Sequence, residues 1–157
     1  MVVKFISVRS GKEIHPSLTQ EVVVGPNATT EVIDGRKIEV PTSQEDDKPY
    51  DTSRADPFVV YSSLLVEGHE ESTDVSWPDP IKYLDFPDRG VNVSFSSDGS
   101  TVSVTATKPV KGFVFSEKEG VRFSDNGFDV MPGVSKRVSI TGYIGDGIDW
   151  KYVGSQD

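Results

Sequence analysis

Apolar residues in this chain recur at every second position and nowhere sustain a 3.6-residue period, which directs it toward strands rather than helices. The alternation opens the chain, where Val2, Lys4, Ile6 and Val8 interleave with Val3, Phe5 and Ser7. It returns at residues 58–66 (FVVYSSLLV), the longest strand candidate, rich in β-branched and aromatic side chains. Residues 21–24, 29–33 and 37–40 read as shorter strands. The stretch PTSQEDDKPYDTSRADP, 41–57, is polar and punctuated by proline. It reads as a solvated loop, with Glu45-Asp46-Asp47 a solvated charge run, because so little apolar surface cannot offset the entropy of ordering.

The second half repeats the pattern more cleanly. Val91, Val93 and Phe95 face one way, and Asn92, Ser94 and Ser96 the other. Asp98-Gly99 then supplies the positive φ of a tight hairpin turn, and Val102, Val104 and Ala106 return inward. Short strands are expected at 111–115, 121–124, 128–131, 136–141 and 150–153, with turns at Glu119-Gly120, Asn126-Gly127 and Pro132-Gly133. Strands spaced by roughly 8–12 residues predict a β-sandwich. A hydrophobic fraction of 35% suits two small cores better than one large one. The division falls at the strap 77–87, WPDPIKYLDFP, whose three prolines disfavour helix and predict an extended segment. Trp77, Ile81, Tyr83, Leu84 and Phe86 are too many apolar residues for a free linker, so they are expected to pack between two sandwiches, 1–84 and 85–157.

Motifs of catalysis are sparse. A formal charge of −9 repels phosphate backbones, which argues against nucleic acid and anionic membranes as partners. The chain has no cysteine and only two histidines, His15 and His69, neither in an H-E-x-x-H pair; Gly68-His69-Glu70-Glu71 reads as a polar turn. Asp146-Gly147-Ile148-Asp149 falls short of a calcium-loop ligand series. Ser124-Asp125-Asn126 matches one β-lactamase motif, but its companions S-x-x-K and K-T-G are absent. The expectation is no catalytic residue, no cofactor and no metal. The N-terminus lacks the features of a signal peptide, and no apolar run nears the ~20 residues of a bilayer span, so a soluble cytoplasmic chain is expected. The acceptor triplets Asn27-Ala28-Thr29 and Asn92-Val93-Ser94 then read as chance occurrences.

The strings KPVKGFVF (108–115), VRFSDNGFD (121–129) and Met131-Pro132-Gly133 together resemble the terminal immunoglobulin-like domain of β-mannosidases. The strap WPDPIKYLDFPDRGV resembles the entry to that domain in the fungal type called β-mannosidase B, and residues 5–66 resemble the preceding sandwich. The resemblance implies an all-β chain of two small immunoglobulin-like antiparallel β-sandwiches, the first incomplete. It implies a non-catalytic accessory region of a retaining glycoside hydrolase that removes terminal non-reducing β-D-mannose. The implied partner is that enzyme's catalytic (β/α)8 barrel, for whose ~250 residues this chain has no helix-strand repeat. No residue here matches the catalytic motifs of that family. Phe113, Phe115, Phe123 and Phe128 instead alternate into one core, so the shared motif specifies fold. Two rival readings are a carbohydrate-binding module, with Trp77, Tyr83, Trp150 and Tyr152 as contacts to a mannose-containing oligosaccharide, and an independent protein-interaction sandwich.

Overall fold

The computed structural model describes residues 1–33, 56–143, 145 and 147–155. The expected strand at 37–40, nearly all of the 41–57 loop with Glu45-Asp46-Asp47, and Asp146 lie outside the described residues. The chain forms two compact units, one of Met1–Ser7 and Glu13–Tyr83, the other of Val8–Lys12 and Leu84–Asp157.

In the first unit β1 (Val2–Ser7), β2 (Glu13–Thr19), β3 (Phe58–Val66) and β4 (His69–Ser76) form one antiparallel sheet in the order β2-β1-β3-β4. The most apolar strands, β1 and β3, take the centre, and the polar ones take the edges, where unpaired backbone groups meet water. Pro16 is tolerated in β2 because an edge strand spares its missing N–H. Val3, Phe5, Ile6, Val59 and Tyr61 are buried. Ser7, also buried, donates its hydroxyl to Asp56 at 2.8 Å, and the Tyr61 hydroxyl donates to Glu70 at 2.9 Å.

Three expectations fail in this unit. Residues 21–24 and 29–33 form no strand, and Val23 and Val24 stand 83% and 59% exposed. Their β-branched density looks like a strand, but a strand needs a pairing partner; β2 takes that place eight residues earlier. His69-Glu70-Glu71 belongs to β4, because the reversal occurs at Glu67-Gly68, both at positive φ (51° and 84°), as a two-residue hairpin turn of the I′ kind requires. The strap is not uniformly extended either. Ile81–Tyr83 closes one 3₁₀ turn, with the Tyr83 amide donating to Pro80 O at 2.9 Å.

The second unit is a sandwich. One sheet runs β5 (Asn92–Phe95), β6 (Thr101–Thr105), β10 (Lys136–Thr141), β8 (Arg122–Phe123); the other runs β11 (Trp150–Lys151), β7 (Val110–Phe115), β9 (Phe128–Val130). The expected alternation is borne out: Val102, Val104, Val110, Phe113 and Val138 are wholly buried, and Phe115, Phe128, Val130 and Ile140 nearly so. Phe113 stacks on Phe128 (5.4 Å between ring centres) and meets Phe115 edge-on (5.0 Å), while Phe115 stacks on Phe123 (4.6 Å).

The polar letters of the shared motif serve the same fold. A bulge interrupts the β7–β9 pairing at Gly112, whose φ of 61° suits glycine. Asp129 clamps it, one carboxylate oxygen accepting from the Gly112 amide (2.8 Å) and the other from Lys111 Nζ (2.9 Å). Asn126 copies a neighbouring strand: its side-chain oxygen accepts from the Phe115 N–H at 2.8 Å, and its NH2 donates to Phe115 O at 3.2 Å.

Among the described residues, and leaving prolines aside, the first unit buries five apolar side chains and the second thirteen. Burial drives stability, so the β1 and β3 amides are expected to exchange hydrogen faster than those of β6 and β10. Exchange mass spectrometry showing equal or greater protection in the first unit would contradict this.

Candidate functional site

One recess of the second unit lies beside a buried arginine. Asp88 turns the chain by accepting the Gly90 amide at 2.8 Å, and this drives Arg89 inward until its side chain is fully buried. Its Nε donates to Pro87 O and its Nη1 to Val8 O, each at 2.7 Å, and its guanidinium lies 5.4 Å from the centre of the Phe86 ring. Burial lowers the Arg89 pKa, while Tyr152, Asp85 and Asp88 favour its charged form. Nη2 has no partner, and it is the one buried side-chain nitrogen or oxygen among the described residues in that state.

The opposite wall comes from the end of the chain. Trp150 pairs with Phe115 in β11, and its indole stacks on Phe113 (5.5 Å) and on Tyr152 (6.2 Å). The Val153 amide donates to Lys111 O at 3.0 Å, and the Ser155 amide to Tyr152 O at 3.0 Å, closing a turn. Gly154, at φ 86°, lies directly against Phe86, leaving no room for a Cβ. Between these walls is a cleft of about 480 Å3 lined by Asp85, Phe86, Pro87, Asp88, Tyr152 and Gly154.

The four aromatics named from the sequence are thus placed differently. Tyr152 lines the cleft, and Trp150 stands behind it as part of the core stack. Trp77 is half-buried after β4, and Tyr83 is 40% exposed with Lys82 Nζ 4.7 Å above its ring; both belong to the first unit. Arg89, Asp85 and Asp88 were missed. A charged residue in PDRG reads as solvated, and nothing local announces that Arg89 will be buried.

A second, smaller recess of about 370 Å3 lies at the β5–β6 turn, where Phe95 and Tyr143 stack at 4.7 Å beside Asp98. Asp98 accepts from Ser96 Oγ (2.6 Å) and from the amide (3.0 Å) and hydroxyl (2.9 Å) of Ser100, which together hold its carboxyl at about 2, below its ordinary 3.8. A depressed carboxylate pKa contributes stability above pH 3.8 that is lost as the pH falls through about 2. An NMR titration of Asp98 is expected to show that low midpoint, moving upward in Ser96→Ala; an unmoved midpoint would remove Ser96 as the main cause. Among the described residues no group of three His, Asp or Glu side chains is placed to hold a metal ion, and no helix is long and apolar enough to cross a membrane.

Comparison with known proteins agrees with this architecture. The profile of the "Mannosidase Ig/CBM-like domain" matches residues 1–83, more than half of the chain, and an "Ig-fold domain" profile of mannosidases matches residues 86–149. The chain belongs to the mannosidase Ig/CBM-like domain family. Beta-mannosidase B of Aspergillus terreus is 40% identical over 157 residues, covering 96% of this chain and 17% of that protein. Its counterpart in Aspergillus niger is 38% identical over 156 residues with the same coverage, and that of Emericella nidulans 36% over 143 residues, 88% of this chain and 15% of the relative. This mannosidase Ig/CBM-like chain therefore spans only 17% of the length of the first of these relatives. The resemblance read from KPVKGFVF, VRFSDNGFD and the strap holds, as does the all-β, immunoglobulin-like fold.

Proposed function

We infer that this chain is a non-catalytic accessory region of a β-mannosidase-type glycosidase, packing against and bracing the catalytic (β/α)8 barrel of an enzyme that hydrolyses terminal non-reducing β-D-mannose residues. One observation carries the reading: similarity to β-mannosidase B runs along nearly the whole chain yet takes in only 17% of the relative. The use to which the shared motif is put adds support. Lys111, Asn126 and Asp129 spend their polar groups on β7, and the four phenylalanines of the motif pack with one another.

Deletion and rescue test it. Removing from the Aspergillus terreus enzyme the region that matches this chain is expected to cut its aryl β-mannoside hydrolysis by about tenfold or more through loss of the folded barrel. Grafting this chain in its place restores that activity. A deleted enzyme as active and as heat-resistant as the whole one would sink the reading.

A further inference from the structure

We propose that the sheet of the first unit holds an open strand lane, in line with β1, and that its occupant is an extended apolar segment of the parent enzyme: the residues that lead into this region in a β-mannosidase B chain. The choice of occupant rests on the accessory-region reading above, under which the region is 17% of a longer polypeptide.

The lane opens at the first row of β1, where the ladder is fully formed. The Met1 nitrogen donates to Gln20 O at 2.8 Å, and the Gln20 amide donates to Met1 O at 3.0 Å. An amide N–H in place of the Met1 ammonium makes the same bond, so a preceding residue breaks nothing. Beyond this row the flanks of β1 run on. β3 continues through Leu64, Leu65 and Val66, which among the described residues pair with β4 alone. On the other side, residues 21–24 have the composition of a strand but form none, for want of a partner. With one strand to either side of β1, the flanks at this row stand roughly 10 Å apart, room for one more strand between them. The apolar surface marks the same place. Among the described residues seven large hydrophobic side chains are exposed, and four of them, Val23, Val24, Leu65 and Val66, belong to these two flanks.

Register states what fits. Met1 pairs with Gln20, and Val2 with Ser63. Continued backward, the residue before Met1 lies between Glu21 and Leu65, the next between Val22 and Val66, and the two before those beside Val23 and Val24. All of these neighbours but Glu21 are apolar, so the segment is one of β-branched or aromatic residues without proline. Continuity with β1 selects the parent chain as its source. It fixes direction and register, and it holds the segment at an effective concentration on the order of millimolar. A second copy has to approach against a formal charge of −9 on each chain. With the lane filled, residues 21–24 gain the partner they lack and β2 lengthens through Val24.

Amide hydrogen exchange by NMR on the full chain tests this. The chain is compared with one preceded by the stretch that leads into the matching region of Aspergillus terreus β-mannosidase B, and with one preceded by a glycine-serine stretch of equal length. The enzyme's own stretch is expected to slow exchange of the lane-facing Val22, Val24 and Leu65 amides by about tenfold or more, and to bring residues 21–24 to strand chemical shifts. The glycine-serine stretch is expected to change neither. Unchanged exchange with the enzyme's stretch, or equal slowing with glycine-serine, overturns the proposal. Protection in the unextended chain that grows with protein concentration overturns it in favour of a second copy. None of these outcomes touches the deletion-and-rescue result, so the two readings fail separately.

Discussion

Phe113→Ala is expected to destabilise the second unit by about 3–5 kcal/mol, the cost of removing a buried phenylalanine from a core that cannot fully collapse. The position supports the upper part of that range. Phe113 is fully buried and is the ring on which Phe115, Phe128 and Trp150 converge, so its loss removes three ring contacts from the middle of one sheet. A domain of this size has a total stability of roughly 4–11 kcal/mol, so the substitution consumes a large fraction of it. Urea unfolding followed by Trp150 emission, in a Trp77→Phe background, reads the change directly. Phe113→Leu keeps most of the volume and is expected to lose less than half as much. A loss under 1 kcal/mol for the alanine variant would mean that the core lies elsewhere.

The second large effect belongs to Arg89. Methionine there keeps the length and bulk of the side chain but leaves Val8 O and Pro87 O without their donors, at a cost of about 2–4 kcal/mol. Lysine is expected to recover little of it. One ammonium cannot reproduce the two divergent N–H groups that reach carbonyls 81 and 2 residues away in sequence, and a desolvated ammonium sheds its proton more readily than a guanidinium. If Arg89→Lys unfolds at the wild-type urea midpoint, the guanidinium fork is not what holds residues 87–90 in place.

What could be read from the sequence depended on whether the information was local. The β5–β6 hairpin was legible because alternation on two strands and Asp98-Gly99 between them all lie within 15 residues of each other, and Gly99 does sit at φ 69°. The strand β3 announced itself by composition. Its partner β4 did not, because Glu67, not Asn or Gly, takes the first positive φ of the turn and the strand beyond it is polar on both sides. The same polarity hid β2, whose membership in the sheet depends on β1 lying beside it and not on its own residues. At the cleft, Tyr152 could be named as an aromatic with possible work to do. Arg89 could not, since its burial depends on Val8 O, 81 residues away.

Asn126-Gly127 brings a different sort of consequence, one measured in the age of the molecule. In an Asn-Gly pair the glycine nitrogen can attack the side-chain carbonyl carbon and expel ammonia to form a succinimide, which water opens to aspartate or isoaspartate. Here the fold occupies both reactants: the Gly127 amide donates to Phe113 O at 3.1 Å, and the Asn126 amide is gripped from two sides by Phe115. Opening the second unit frees them together. A deamidated copy then presents a carboxylate oxygen to Phe115 O where an NH2 had donated, so it closes less well and opens more often. Peptide mass mapping at this one dipeptide therefore reports how long a sample has spent unfolded.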